Sequence, residues 1–377
     1  MHTRACDLLG IEFPIFAFSH CRDVVAAVSK AGGFGVLGAV AYSPEQLDIA
    51  LSWIDEHVGD RPYGVDVIIP AKYVGDESGG LMASQVRDLI PEEHRNFVEQ
   101  ILGRYGVPSM TEEPEVPGSD RRMPFSKEST DELLDVVWRH QKVRFIANAL
   151  GPAPAHLVEA AHERGLVVGG LVGTVEHARR QKAAGVDLVI AQGYEAGGHT
   201  GEISTMVLVP QVVDVVAPVP VLAAGGIADG RQVAAALALG AEGVWCGSVW
   251  LTTDEAETHP VVKAKFLAAS STDTIRSRAK TGKPARQLKS AWTEEWEDPA
   301  NPKPLPMPLQ GALVAEAETR IARSAATNDG ARQLINYFVG QAVGQMNQPK
   351  PAAKVVLEMV EGYIDAASRL GSTLTTA

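Results

Sequence analysis

The sequence predicts an α/β fold, an eight-stranded parallel (β/α)8 barrel with a helical insertion after its third strand and a helical C-terminal extension. Three observations predict it. An alanine-rich stretch of helix length, a glycine and a short apolar run recur along the chain. The apolar runs lack the alternation of a half-exposed strand, as expected of parallel strands covered on both faces. They number eight, the count that closes a barrel. An open doubly wound sheet usually has fewer strands and carries its cofactor motif at the first strand-to-helix turn.

In order, the strands are predicted at 14–18, 34–39, 64–69, 143–150, 166–173, 187–192, 219–224 and 243–249. Segments such as AAVSKAGGFGVLG (26–38), ARRQKAAGVDLVIAQG (178–193) and VAAALALGAEGVWCG (233–247) pair a helix ending at glycine with the strand that follows it. Residues 71–141 interrupt the repeat: the polar stretches GDESGG and TEEPEVPGSD flank the helical pattern PEEHRNFVEQILGRY. A bare loop of that length is improbable, so an inserted helical lid or interface element is expected. The tail opens with the Pro-rich EDPANPKPLPMPLQ and closes with LINYFVGQAV and AAKVVLEMVEGYI, both predicted as amphipathic helices packed on the barrel or on a partner subunit. The expected division is a barrel over 1–284, interrupted at 71–141, and an extension over 285–377.

Composition bounds the function. With 45% hydrophobic residues in 377, the chain has ample material for a large core, and one barrel of about 250 residues plus insertion and tail accounts for the length. The net charge of −12 argues against nucleic acid or an anionic membrane surface as partner. No apolar stretch is long enough to span a membrane, and no leader pattern opens the chain, so a cytoplasmic protein is expected. Cys6, Cys21 and Cys246 are odd in number and in no CxxC spacing, which implies reduced thiols and no metal site.

Gly33, Gly35 and Gly38 match GxGxxG, but the helix precedes the glycines instead of following them, so tight helix–strand packing is the better reading. The most distinctive run is AQGYEAGGHTG (191–201), which follows the sixth strand on the face where barrels place their catalysts. Gly193, Gly197, Gly198 and Gly201 let the backbone approach a flat ligand, and His199 supplies a group that titrates near neutral pH. Six other histidines, His57, His94, His140, His156, His162 and His177, sit in polar or helical surface contexts. Glu195 reads as a solvated or orienting carboxylate. After the seventh strand come Gly225 and Gly226, and the eighth ends in Gly247 and Ser248. Loops at these two places, with a helix N-terminus, are the usual phosphate site of such barrels.

At these residues the sequence resembles the nitronate monooxygenase family, formerly 2-nitropropane dioxygenases, which are FMN-dependent TIM barrels. PIFAF, AGGFGVLGA, PYGVDVIIP, AQGYEAGGHTG, PVLAAGGIADG, GSVWLTTDEA and TGKPARQLK occur in the family's order, and FVGQAVGQMNQPKPAAKVV resembles its C-terminal end. The resemblance implies that His199 is the catalytic residue. It puts Gln192 and Gly197, beside Gly198, on flavin-contacting positions, Gly226 with Gly225 at the phosphate, and Trp245, Cys246, Gly247 and Ser248 on the phosphate-binding stretch. Cys246 would then contribute backbone and not a nucleophile.

Departures from the family are informative. Ala17, Phe18 and Ser19 stand where APM is usual, the fourth strand lacks a histidine found in some members, and residues 71–141 are atypical. Asp66 replaces the cofactor-contacting asparagine of GVN, and an ionised aspartate can only accept hydrogen bonds. The implied activity is oxidation of an alkyl nitronate with O2 to a carbonyl compound and nitrite, with a small molecule and O2 as partners and homo-oligomerisation left open. A related alternative is NAD(P)H-dependent reduction of an enoyl thioester on the same cofactor. A third is a flavin-binding protein without catalysis.

Overall fold

The computed structural model describes residues 1–40, 42–67, 83–110, 127–149 and 151–374; the rest of the expected insertion lies outside the described residues. Eight strands close a parallel barrel: β1 (Ile15–Ser19), β2 (Phe34–Gly38), β3 (Tyr63–Val67), β4 (Val143–Asn148), β5 (Val167–Val172), β6 (Leu188–Gln192), β8 (Val221–Ala224) and β9 (Gly243–Cys246). β9 returns to β1 with Phe16 opposite Trp245 and Ala17 opposite Cys246. The chain is therefore a TIM barrel. Its eighth strand stops at Cys246, three residues short of the expected end, because Ser248–Thr252 wind into a 3-10 turn.

Alternation along each strand separates two apolar layers. Ile15, Val65, Val168, Val189 and Val221 point outward and pack under helix residues such as Val24, Leu47, Leu157, Leu208 and Val233. Phe16, Phe34, Phe145, Leu188, Leu222 and Trp245 point inward. Helix Arg4–Leu9 closes the lower end, where Ala5, Cys6 and Leu9 join that inner cluster. The glycines of GGFGVLG serve packing, as expected: a side chain at Gly35 would collide with the backbone of Val25. Helix Gly230–Ala238 ends before Gly240, whose φ of 94° turns the chain toward β9.

A second apolar cluster lies outside the barrel. From the inserted segment, helix Glu92–Arg104 contributes Phe97, Val98, Ile101 and Leu102; the C-terminal part contributes Trp292, Trp296, Ile321 and Leu334. Phe97 meets Trp296 edge-on at 5.0 Å, and Arg104 pairs with Glu295 at 2.6 Å. The two departures from the barrel repeat thus cover each other.

The tail corrects one expectation. LINYFVGQAV is not a helix: helix Asp329–Leu334 ends, 335–340 runs extended, and Gln341–Gln345 form a 3-10 turn. Ile335, Tyr337, Phe338 and Val339 favour extended backbone, and β11 (Ala285–Leu288) receives the strap through the Gln287–Phe338 bridge and a Leu288 N–H bond of 3.1 Å to the Tyr337 carbonyl. AAKVVLEMVEGYI is helical, within Ala352–Ser372. His140 is a second correction: it is buried, with Nδ1 2.7 Å from Asp55 and Nε2 3.3 Å from Asp48. Cys6, Cys21 and Cys246 are free and buried. Among the described residues no helix is long and apolar enough to cross a membrane.

Candidate active site

The carboxyl ends of the strands form the mouth of the barrel. Inward alternation brings Phe18, Gly38, Asp66, Gln192, Ala224 and Trp245 to its uppermost interior positions. Asp66 stands opposite Gly38 and Ala147 and is 4% exposed. No group among the described residues hydrogen-bonds its carboxyl, and burial pushes its pKa well above the usual carboxylate range. A carboxyl held neutral in this way can donate as well as accept, as an asparagine amide can.

Beyond β6 the loop is pinned from several sides. Gly193 N–H donates to the Ala224 carbonyl at 2.9 Å. Glu195 Oε2 accepts from the backbone and hydroxyl of Thr205, both at 2.9 Å, so it orients helix Thr205–Val216 and is not aimed at a substrate. Arg286 donates through Nε and Nη2 to the Tyr194 carbonyl at 3.1 and 3.0 Å. The loop then forms β7 (Gly198–His199), which pairs with β11, itself paired with β10 (Thr274–Ser277). Residue His199 lies opposite Ala285, which fixes its backbone. Its ring stands exposed at the rim, with Nε2 2.8 Å from Thr281 Oγ1. Loss of hydration to the protein packed around the imidazole, and secondly the Lys283 ammonium, lower its pKa. His199 is consequently neutral at pH 7 and able to accept a proton.

At the expected phosphate end, Gly225 and Gly226 adopt φ of 104° and 73°. The N–H groups of Gly225, Gly226, Gly247 and Ser248 have no acceptor among the described residues. Unsatisfied backbone donors gathered at one place form an anion cradle. Ser248 Oγ accepts the Gly340 N–H at 2.8 Å and retains its own proton for a further partner. The helix N-terminus expected to assist is already taken: Asp229 Oδ1 accepts from Arg231 and Gln232 N–H at 2.9 and 3.1 Å.

Cys246 can meet a ligand only through backbone, whereas Trp245 holds its ring at the top of the barrel interior. The Trp245 ring fills the barrel interior 6.3 Å from Phe16 and 6.0 Å from Phe18. Cys246 points into the outer layer, its carbonyl accepts Trp250 Nε1–H at 2.7 Å, and burial pushes its thiol up to about 12. A nucleophilic thiolate is thereby excluded. Sequence reasoning passed over three contributors. His20 sits one residue beyond β1 with Nδ1 3.0 Å from the Gly38 carbonyl, its pKa lowered by burial. Thr281 and the strap residue Gly340 reach the mouth from segments remote in sequence. A surface cleft of about 620 Å³ lined by Lys265, Lys289, Glu294 and Arg332 includes none of these residues.

Barrel, mouth donors and histidine form a candidate site for an anionic ligand beside a proton acceptor, and comparison with known proteins gives the class. The family model described as nitronate monooxygenase matches residues 2–362. The chain is 61% identical over 371 residues, 98% of each chain, to a Mycobacterium tuberculosis protein named "Putative monooxygenase Rv1533". It also superposes on a nitroalkane oxidase from Streptomyces ansochromogenes with a TM-score of 0.77 and 26% identity, covering 97% of this chain and 99% of that one. FabK from Thermotoga maritima gives 0.72 and 29%, covering 99% of both. The chain belongs to the nitronate monooxygenase family and is a flavin-dependent oxidoreductase.

Proposed function

We propose that the chain binds FMN and oxidises alkyl nitronates with O2 to carbonyl compounds and nitrite. The observation that carries the reading is one mouth holding both His199, its pKa lowered, and four backbone N–H groups without acceptors among the described residues. Gly225, Gly226, Gly247 and Ser248 would hold the FMN phosphate. Asp66, Gln192, Gly197 and Gly198 would line the ring, with Trp245 and Cys246 contributing backbone. FMN supplies acceptance of electrons from the substrate and their delivery to O2.

His199 receives the proton of a neutral nitroalkane or steadies the nitronate already formed, and its lowered pKa keeps it competent below the usual histidine range. Apolar Phe18 and Trp245 below the mouth exclude water. Two nitronates and one O2 balance as two carbonyl compounds and two nitrites. The three buried thiols fit a reducing compartment, so we assign the work to the cytoplasm. Purified protein should release FMN on denaturation, consume O2 and liberate nitrite with propyl-2-nitronate. Absence of nitrite release would overturn the substrate assignment.

The likeness to FabK favours a second reading, in which NADH or NADPH reduces the flavin for reduction of an enoyl thioester. Anaerobic bleaching of the 450 nm-region flavin band by either nucleotide, with no change on adding nitronate, would select it.

A further inference from the structure

We infer that the loop between β10 and β11 completes the catalytic histidine: Thr281 fixes the His199 tautomer that leaves Nδ1 bare. Thr281 is a positioning residue. The inference rests on the proposed role of His199 as the group that takes the substrate proton.

The hydrogen-bond arithmetic of one hydroxyl carries the inference. Thr281 Oγ1 has a single proton, and the Lys283 carbonyl at 3.2 Å is in position to receive it. Its lone pairs face the Lys283 N–H at 3.3 Å and His199 Nε2 at 2.8 Å. Nε2 therefore carries the proton and donates; the opposite tautomer would need the hydroxyl proton and abandon the Lys283 carbonyl. The frame is rigid, since β7 pairs with β11 at His199 and Ala285, and the Gly282 N–H closes the loop on the Arg278 carbonyl at 2.9 Å.

The other charged groups packed around the ring are engaged elsewhere. Lys280 is held by Glu318 and lies over the Phe338 ring at 5.8 Å. Arg276 is engaged with the Thr200 carbonyl at 3.1 Å and faces Glu202 at 3.9 Å. Arg286 is committed to Tyr194 and Thr274, and Glu195 to Thr205. On the strap, burial raises the Tyr337 phenol, which stays neutral. Burial first, and the Lys283 ammonium second, lower the His199 pKa, and among the described residues Lys283 has no carboxylate within ion-pair distance.

In the step so served, the substrate C–H bond breaks, its electron pair forms the C=N bond of the nitronate as negative charge moves onto the nitro oxygens, and the proton lands on Nδ1. Nε2–H stays on Thr281, and the proton on Nδ1 later leaves to water.

The test uses FMN-loaded wild type, Thr281→Val and Thr281→Ser, with 15N-histidine NMR to read the tautomer. Turnover of a neutral nitroalkane is measured against that of its preformed nitronate. Wild type should show Nε2–H. Thr281→Val should give mixed tautomers and lose about tenfold in kcat/KM with the nitroalkane, a fraction of the whole general-base effect, with the preformed nitronate spared; Thr281→Ser should restore both. An unchanged tautomer in Thr281→Val, or failure of serine to rescue, would overturn the inference. A wild type that turns over neither substrate refutes the proposed function, while NMR still decides the tautomer.

Discussion

The two ends of the barrel interior are built from the same eight strands and solve opposite problems. Toward the amino ends, Phe16, Phe34 and Phe145 interlock at ring distances of 5.3 to 6.4 Å above the plug of Ala5, Cys6 and Leu9. Toward the carboxyl ends, glycines, Asp66 and Gln192 replace that packing, and backbone donors go unsatisfied among the described residues. Stability is concentrated in the floor and ligand chemistry in the mouth, so substitutions at the two ends should separate folding from function.

The largest expected effect lies at the mouth. His199→Asn should lower kcat/KM for a neutral nitroalkane by roughly 10²- to 10⁴-fold with flavin content and melting temperature unchanged, read by nitrite release and a thermal scan. Unaltered turnover would remove His199 from the chemistry. At the floor, Phe145→Ala should cost about 3–5 kcal/mol of stability and leave FMN bound at room temperature. The cost falls at the high end because the neighbours cannot fill the space: a side chain at Gly64 would lie 2.9 Å from Phe145, and one at Gly169 would collide with it. Denaturant unfolding measures it; loss of flavin without loss of stability would invert the comparison.

The floor and the barrel were legible in sequence because burial on both faces leaves uninterrupted apolar runs, which is why strands such as 187–192 and 143–150 were placed within a few residues. The mouth was legible only where glycine or histidine clusters locally. Thr281 was not, since its partner lies 82 residues away and nothing in TGKPAR announces a hydrogen bond to His199. The strap 335–340 was read as helix because its apolar spacing fits either period; pairing with β11 decided for extended backbone. The expectation that a helix N-terminus would help hold phosphate overlooked a readable signal, the Asp229-to-Gln232 capping box that consumes those donors. His140 was placed at the surface because its partners Asp48 and Asp55 are distant in sequence.

A smaller effect is expected at Gly225. Its φ is 104°, and an alanine Cβ there would stand 3.0 Å from Thr205 Oγ1, so Gly225→Ala must shift the cradle. A left-handed residue costs about 1–2 kcal/mol, so FMN affinity should fall roughly tenfold in a fluorescence titration, with the floor untouched. Affinity equal to wild type would show that the Gly225 N–H holds no phosphate.

The smallest effect belongs to Asp66, and its sign is diagnostic. In the unfolded chain this carboxyl loses its proton near pH 3.9, whereas burial keeps it protonated in the folded barrel to much higher pH. The folded state then binds the extra proton, so this group's contribution makes stability fall as pH rises above the unfolded value until the raised folded value is passed. Asparagine has no proton to lose, and Asp66→Asn should therefore stabilise flavin-free protein more at pH 8 than at pH 5. Because the amide donates as the neutral acid does, FMN should still bind. An equal gain at both pH values would mean that the folded carboxyl is already ionised at pH 5, and the mouth would then present FMN with a fixed negative charge in place of a donor.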